Sequence, residues 1–197
     1  LCMLLFKDKK RVESQNLIEA QEEKLSFSEV MTILVNALKK SPALTLTISG
    51  GVFYHIILGA AAFEQIWLVE ERGFDRSVIA QISGIIAVFA GLAGVLFGGL
   101  VSDWWLEKTN QGRPIFLFWL SLILLPIGVI YRFVEPTTVI FWVGVVVGYF
   151  QLGCFYGPTF STVQELVPEK IRATIVAFYI LCINLIGLTI GSLGAGI

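Results

Sequence analysis

Charged positions in this chain are bunched, and the apolar stretches between the bunches share one length scale. No Asp, Glu, Lys or Arg occurs from Ser41 to Phe63, Ser77 to Ser102, Pro114 to Tyr131, Pro136 to Gln164 or Ala173 to Ile197. A membrane-spanning helix needs roughly 20 predominantly apolar residues, and each gap supplies them. The pattern predicts an all-α, polytopic membrane helix bundle over 41–197, with spans at 42–69, 77–103, 114–132, 137–164 and 170–197. Leu1–Phe6 reads as the end of a further transmembrane helix. Both termini fall inside apolar runs, so the expectation is a portion of a longer protein.

The segment 7–40 differs in kind. It is polar to about Lys24, and then Phe27, Val30, Met31, Leu34 and Leu38 recur at helical spacing before Lys39 and Lys40. Ser26 with Glu29 has the spacing of a capping box. An amphipathic helix over about 27–39 follows, lying at the membrane interface or packed under the bundle. Ser41-Pro42 reads as the cap and first position of the next helix.

Composition confirms the class. The 197 residues are 56% hydrophobic and 15% charged, against about 25% charged in an average soluble domain; a soluble enzyme of this size lacks the charge for its surface. A net charge of −1 gives no argument for nucleic acid. Cys2, Cys154 and Cys182 lie in apolar runs, so no disulfide framework or metal site is expected. Neither a phosphate-binding loop nor a hydrolase or metalloprotease motif occurs, and no cofactor is implied. The expected partners are the lipid bilayer and a small-molecule solute.

Eleven of the fourteen Lys and Arg fall in 7–40, 103–113 and 165–172; only Arg72, Arg76 and Arg132 fall in the alternate connections. The basic set is therefore expected to be cytoplasmic, in a cell (inner or plasma) membrane. Trp67, Trp104, Trp105, Trp119 and Trp142 sit near predicted span ends, as an aromatic belt would.

Within the second span, Ala80, Gly84, Ala87, Gly91, Gly94, Gly98 and Ser102 form one stripe of small residues. Small residues let two helices approach closely in lipid, so this helix is expected to pack on a neighbour along its whole length. The stripe runs into Gly99 and Asp103, and the loop closes with Gly112-Arg113. Placed at a helix C-terminus, Asp103 needs a compensating partner. Either Arg113 pairs with it as a conformational latch, or Asp103 is an ordinary loop carboxylate.

Gly99-x-x-x-Asp103 followed by Gly112-Arg113 resembles the loop motif of the major facilitator superfamily, with a longer spacing and Pro114 in place of the final basic residue. Val167-Pro168-Glu169-Lys170-Ile171-Arg172-Ala173, followed by Asn184, Gly187, Gly191 and Gly196, is similar to that family's loop between its tenth and eleventh helices. Segment 7–40 is similar to its central linker. The resemblance implies the C-terminal half of such a transporter, from the end of helix six through helix eleven, with a missing N-terminal six-helix half as partner. The look of residues 158–197 leans toward Spinster-like or organic-anion facilitators. It implies alternating access, with possible proton symport, of a small organic solute such as an anion or amphiphile. In that architecture the small-residue stripe packs against the fifth helix, in the other half. The alternative is a non-transporting sensor or scaffold of the same fold.

Ionisable and polar groups inside spans are the candidates for coupling and for lining a cavity. His55 titrates near neutral pH when unperturbed, and either carries a proton or is a neutral, hydrogen-bonded histidine. Glu64 lies nine residues on, half a turn round, so a direct pair with His55 is not expected. Thr47, Tyr54 and Gln65 fall nearly in line, which places Tyr54 and Gln65 in a cavity. Tyr149 and Tyr156 share a face of the fourth span, whose Gly153, Gly157 and Pro158 suggest a kink. Asn184 is the lone strong polar group of the last span, read either as a cavity group or as an interhelical hydrogen bond. Arg172 joins Gly99, Asp103, Gly112 and Arg113 in the proposed latch.

Overall fold

A computed structural model describes residues 26–61 and 63–196, all helices and connections with no strand among them. Leu1–Phe6 and the polar first part of the linker lie outside the described residues. The helices are α1 (Phe27–Lys40), α2 (Pro42–Ala61), α3 (Glu64–Glu70), α4 (Arg76–Thr109), α5 (Arg113–Ile130), α6 (Val139–Glu165), α7 (Arg172–Leu181) and α8 (Thr189–Ala195). A wide π-helical stretch, Cys182–Leu188, joins α7 to α8, so 172–195 is one rod. Five helical stretches are long and apolar enough to cross a membrane.

The helix α1 packs under the bundle. The amide of Ser26 donates to Glu29 Oε2 at 2.7 Å. Leu34 is buried in a cluster with Val163, Val167, Ile171 and Ile175 from the ends of α6 and α7. Its apolar stripe is therefore covered by protein, while Met31 and Val35 stay exposed.

The span expected over 42–69 is one candidate crossing, Pro42–Glu70, with α2 and α3 on either side of residue 62; the Phe63 amide donates to Ala60 O at 3.1 Å. One span differs in length from its sequence expectation. The second span runs to Thr109, well beyond 103. Charged residues end a membrane crossing but not a helix, and Trp105 continues to pack on Phe116. Asp103 is consequently inside α4, not at its C-terminus, and the dipole argument for its pairing lapses.

Caps set the remaining ends. The Asp75 carboxylate accepts from the amides of Ser77 and Val78 at 2.9 and 3.0 Å. Asn110, at φ 53°, closes α4 in the left-handed conformation.

The bundle is two tight helix pairs. The larger is α4 with α6, against which α5 also packs; the second is α2 with the 172–195 rod. In the first, a Cβ at Gly94 or Gly98 would collide with the backbone of Phe150 or Cys154, and one at Gly153 with Gly91 O. Pro158 has no N–H for the carbonyl of Cys154, and that carbonyl is the group pressed against Gly98. In the second, a Cβ at Gly51 would meet the Tyr179 ring, and Gly59 and Gly191 touch backbone to backbone. Close approach of this kind is what association in lipid rewards.

The stripe on α4 thus divides. Its Gly94-to-Ser102 part is covered by α6 of the same chain, whereas Gly84 and Gly91 have open space at their Cβ positions and Ala80 is exposed. The expectation of one neighbour along the full length, in another half of the protein, is corrected: the Gly94, Gly98 and Ser102 part of the stripe is spent inside this chain.

Candidate functional site

We call the end of the bundle carrying Lys39, Lys40, Lys170 and Arg172 the basic end. There a single guanidinium joins three helices. Arg113, at the first turn of α5, donates through Nε to Asp103 Oδ1 of α4 at 2.8 Å. Through Nη1 it meets Glu165 Oε2, the last residue of α6, at 2.5 Å. Gly112 caps α5 and sets Arg113 at the helix start. Gly99 lies under Gly157, keeping α4 and α6 close below the clasp. The Arg113 side chain is 10% exposed while both carboxylates are more than half exposed. The cation is held by the fold and the anions are free to leave it.

Arg172 is not part of this clasp. Its Nε donates to Gln164 O at 3.2 Å, and Nη1 faces Glu169 at 3.4 Å. It belongs with the turn that opens α7 because the helix starts at Arg172 itself. Glu165 was missed by sequence reasoning, although it is the first charge after the long gap ending at Gln164 and so lies level with Arg113.

Midway along the bundle, His55 is 2% exposed. Its Nδ1 is 2.9 Å from Gly51 O. A carbonyl only accepts, so Nδ1 carries the proton and donates. The Tyr156 hydroxyl, which can donate or accept, stands 3.5 Å from Nε2. Beside it Tyr54 stacks on Phe155, with ring centroids 4.1 Å apart. These contacts close the seam between the two helix pairs.

Two cavities flank that seam. One, about 810 Å³, lies between α2, α5 and α6. Its polar groups are Thr47, Tyr54, Ser121, Gln151, Thr159 and Thr162, and Gln151 Nε2 donates to Ser121 Oγ at 3.1 Å. The other, about 630 Å³, lies between α3, α4 and α6 and is lined by Gln65, Ser83 and Tyr149 beside Ala80, Gly84 and Ala87, with Glu70 and Arg76 also on its wall. The Ser83 hydroxyl is buried and has no hydrogen-bond partner among the described residues. Both volumes lie within the roughly 300–1,000 Å³ of small-molecule sites.

The sequence placed Tyr54 and Gln65 on one line facing one cavity. In the structure they line different cavities. Tyr149 and Tyr156 separate likewise: Tyr149 lines the smaller cavity and Tyr156 meets His55. Glu64 accepts from the Tyr131 hydroxyl at 2.6 Å, far from His55 in the contact pattern. Asn184 is exposed, and its Nδ2 donates to Ile180 O of its own helix at 2.9 Å. It lines neither cavity and makes no interhelical bond among the described residues, because that i−4 carbonyl satisfies it locally.

At the far end, Leu68, Ile79, Tyr131, Phe141 and Val145 form a buried cluster with Trp67, Phe74 and Trp142 packed on it. Trp67 and Trp142 serve this core as well as any belt.

No curated protein and no solved structure matches the chain. The sequence model of the Major Facilitator Superfamily matches residues 1–192. A multi-pass helix bundle, with glycine-packed helix pairs and a motif loop clasped by Arg113, fits that match; the chain belongs to the major facilitator superfamily, whose members are membrane transporters rather than enzymes.

Proposed function

We propose that this chain forms the C-terminal half-bundle of a secondary transporter that moves a small organic solute by alternating access. The observation that carries the reading is the clasp: one fixed guanidinium holds two half-exposed carboxylates on separate helices, at the basic end. Such a contact breaks and reforms as a unit, which a bistable gate requires. A second, six-helix half is part of this reading, as is a cytoplasmic location for the basic end.

The cavities support an amphiphile over a strongly anionic solute. Their hydrogen-bonding groups are mostly uncharged hydroxyls and amides on apolar walls. Proton coupling, where present, falls to Glu64 before His55. Glu64 is next in sequence to Gln65, which lines the smaller cavity, and keeps one oxygen beyond its bond to Tyr131, whereas both His55 nitrogens face partners in the seam.

The test is solute flux by the full-length protein in liposomes. Glu64→Gln is expected to abolish uptake driven by a pH gradient while sparing solute exchange, and His55→Gln to leave the gradient dependence in place. Absence of flux across a broad panel, with ligand binding retained, would replace transport by a sensor role.

A further inference from the structure

The far end of the bundle holds two cations that none of the foregoing uses. The Arg72 guanidinium carbon lies 4.6 Å from the centre of the Trp67 ring, and that of Arg132 lies 5.3 Å from the same ring. Arg132 also sits 5.1 Å over the Tyr131 ring. Arg72 Nη2 donates to the backbone carbonyl of Arg132, which ties the end of α3 to the end of α5. Among the described residues no carboxylate is within ion-pair distance of either guanidinium.

The local acids are otherwise engaged or turned to water. Glu64 accepts from Tyr131 and Asp75 from two amides, while Glu70, Glu71 and Glu135 are exposed. Two like charges gathered on one indole repel, and an anion between them would relieve that repulsion. Arg72 Nη1 and the whole Arg132 fork remain as donors. Paired planar forks suit tetrahedral or carboxylate oxyanions that accept several parallel bonds. The site stands where α3 and α5 end, beside Trp67 and Trp142, a residue type enriched at the headgroup level of a bilayer.

We propose that Arg72 and Arg132, seated on Trp67, form a binding site for a phosphate-type oxyanion, supplied by an anionic lipid headgroup or by free phosphate. The binding is short-range, since the surrounding loops are net acidic and do not concentrate anions.

The experiment is thermal unfolding of the full-length protein in an uncharged detergent, at ionic strength held constant with sodium chloride. It is titrated separately with inorganic phosphate and with a short-chain phosphatidylglycerol. A saturable rise in Tm is expected. A rise with both ligands identifies a free-oxyanion site, and a rise with the lipid alone identifies a headgroup site; either supports the proposal. Arg132→Gln keeps the Arg72 bond, because that bond uses the backbone carbonyl. It should raise the half-saturating concentration about tenfold or more, as loss of a charge-assisted bond does, and Arg72→Gln should do the same where it folds. No saturable rise with either ligand, or a response unchanged in Arg132→Gln, overturns the site.

Discussion

The two ends of the bundle are held by opposite means. At the basic end, α4, α5 and α6 meet through Arg113, whose partners are more than half exposed. At the other end the same three helices and α3 meet through Phe141, Tyr131, Leu68, Ile79 and Val145, all buried. The first contact is electrostatic, weakened by water and salt. The second is aromatic area, insensitive to both. Under the proposed alternating access, a bundle built this way would loosen first at the clasp and turn about the aromatic cluster, with gate and pivot at opposite ends of the same helices.

The largest test of that contrast removes the pivot. Phe141 is fully buried and stacks or tilts against Trp67, Phe74, Tyr131 and Trp142. Phe141→Ala should cost about 3–5 kcal/mol, as buried aromatic truncations do. A detergent melt that shifts by less than a degree or two would remove the pivot. Next, Arg113→Gln leaves Asp103 and Glu165 side by side without their cation, at a cost of about 1 kcal/mol because both carboxylates face water. The protein should stay folded while a cysteine introduced at Thr162, on the wall of the larger cavity, reacts faster with thiol reagents. Unchanged labelling would make the clasp ornamental. The smallest effect belongs to Asp103→Asn. Glu165 still holds Arg113, so the change should be under about 1 kcal/mol, and raised salt applied to the unmutated protein should mimic it. An Asp103→Asn effect as large as that of Arg113→Gln would mean that the two carboxylates do not share the load.

The spans were legible because charge is excluded from lipid by several kilocalories, a force strong enough to write itself as gaps. The clasp was half legible. Asp103 and Arg113 flank one loop, but Glu165 is 52 residues from Arg113 and only helix packing brings it there. Polar residues inside the membrane were read less well. Tyr54 and Gln65 share a line in the sequence but face different cavities, because the helices packed beside each end of that span come from distant parts of the chain. The glycine stripe on α4 was visible because it is dense. The pairing of Gly51 and Gly59 with Tyr179 and Gly191 was not, since sparse glycines acquire meaning only when the opposing helix is known.

The wide stretch at Cys182–Leu188 bears on that last pairing. Ile175, Tyr179, Ile183, Gly187 and Gly191 are all buried, each four residues after the one before. On a regular α-helix every fourth residue drifts by about 40°, so this row would spiral away from its partner within three steps. A π turn takes in about one residue more than an α turn and drifts the other way. The wide stretch is thus a phase corrector, which keeps one straight seam along α2. Excising a single residue from it would swing everything beyond Leu188 by about 100°. Gly191 would leave Gly59, and a side chain would arrive where only a glycine fits.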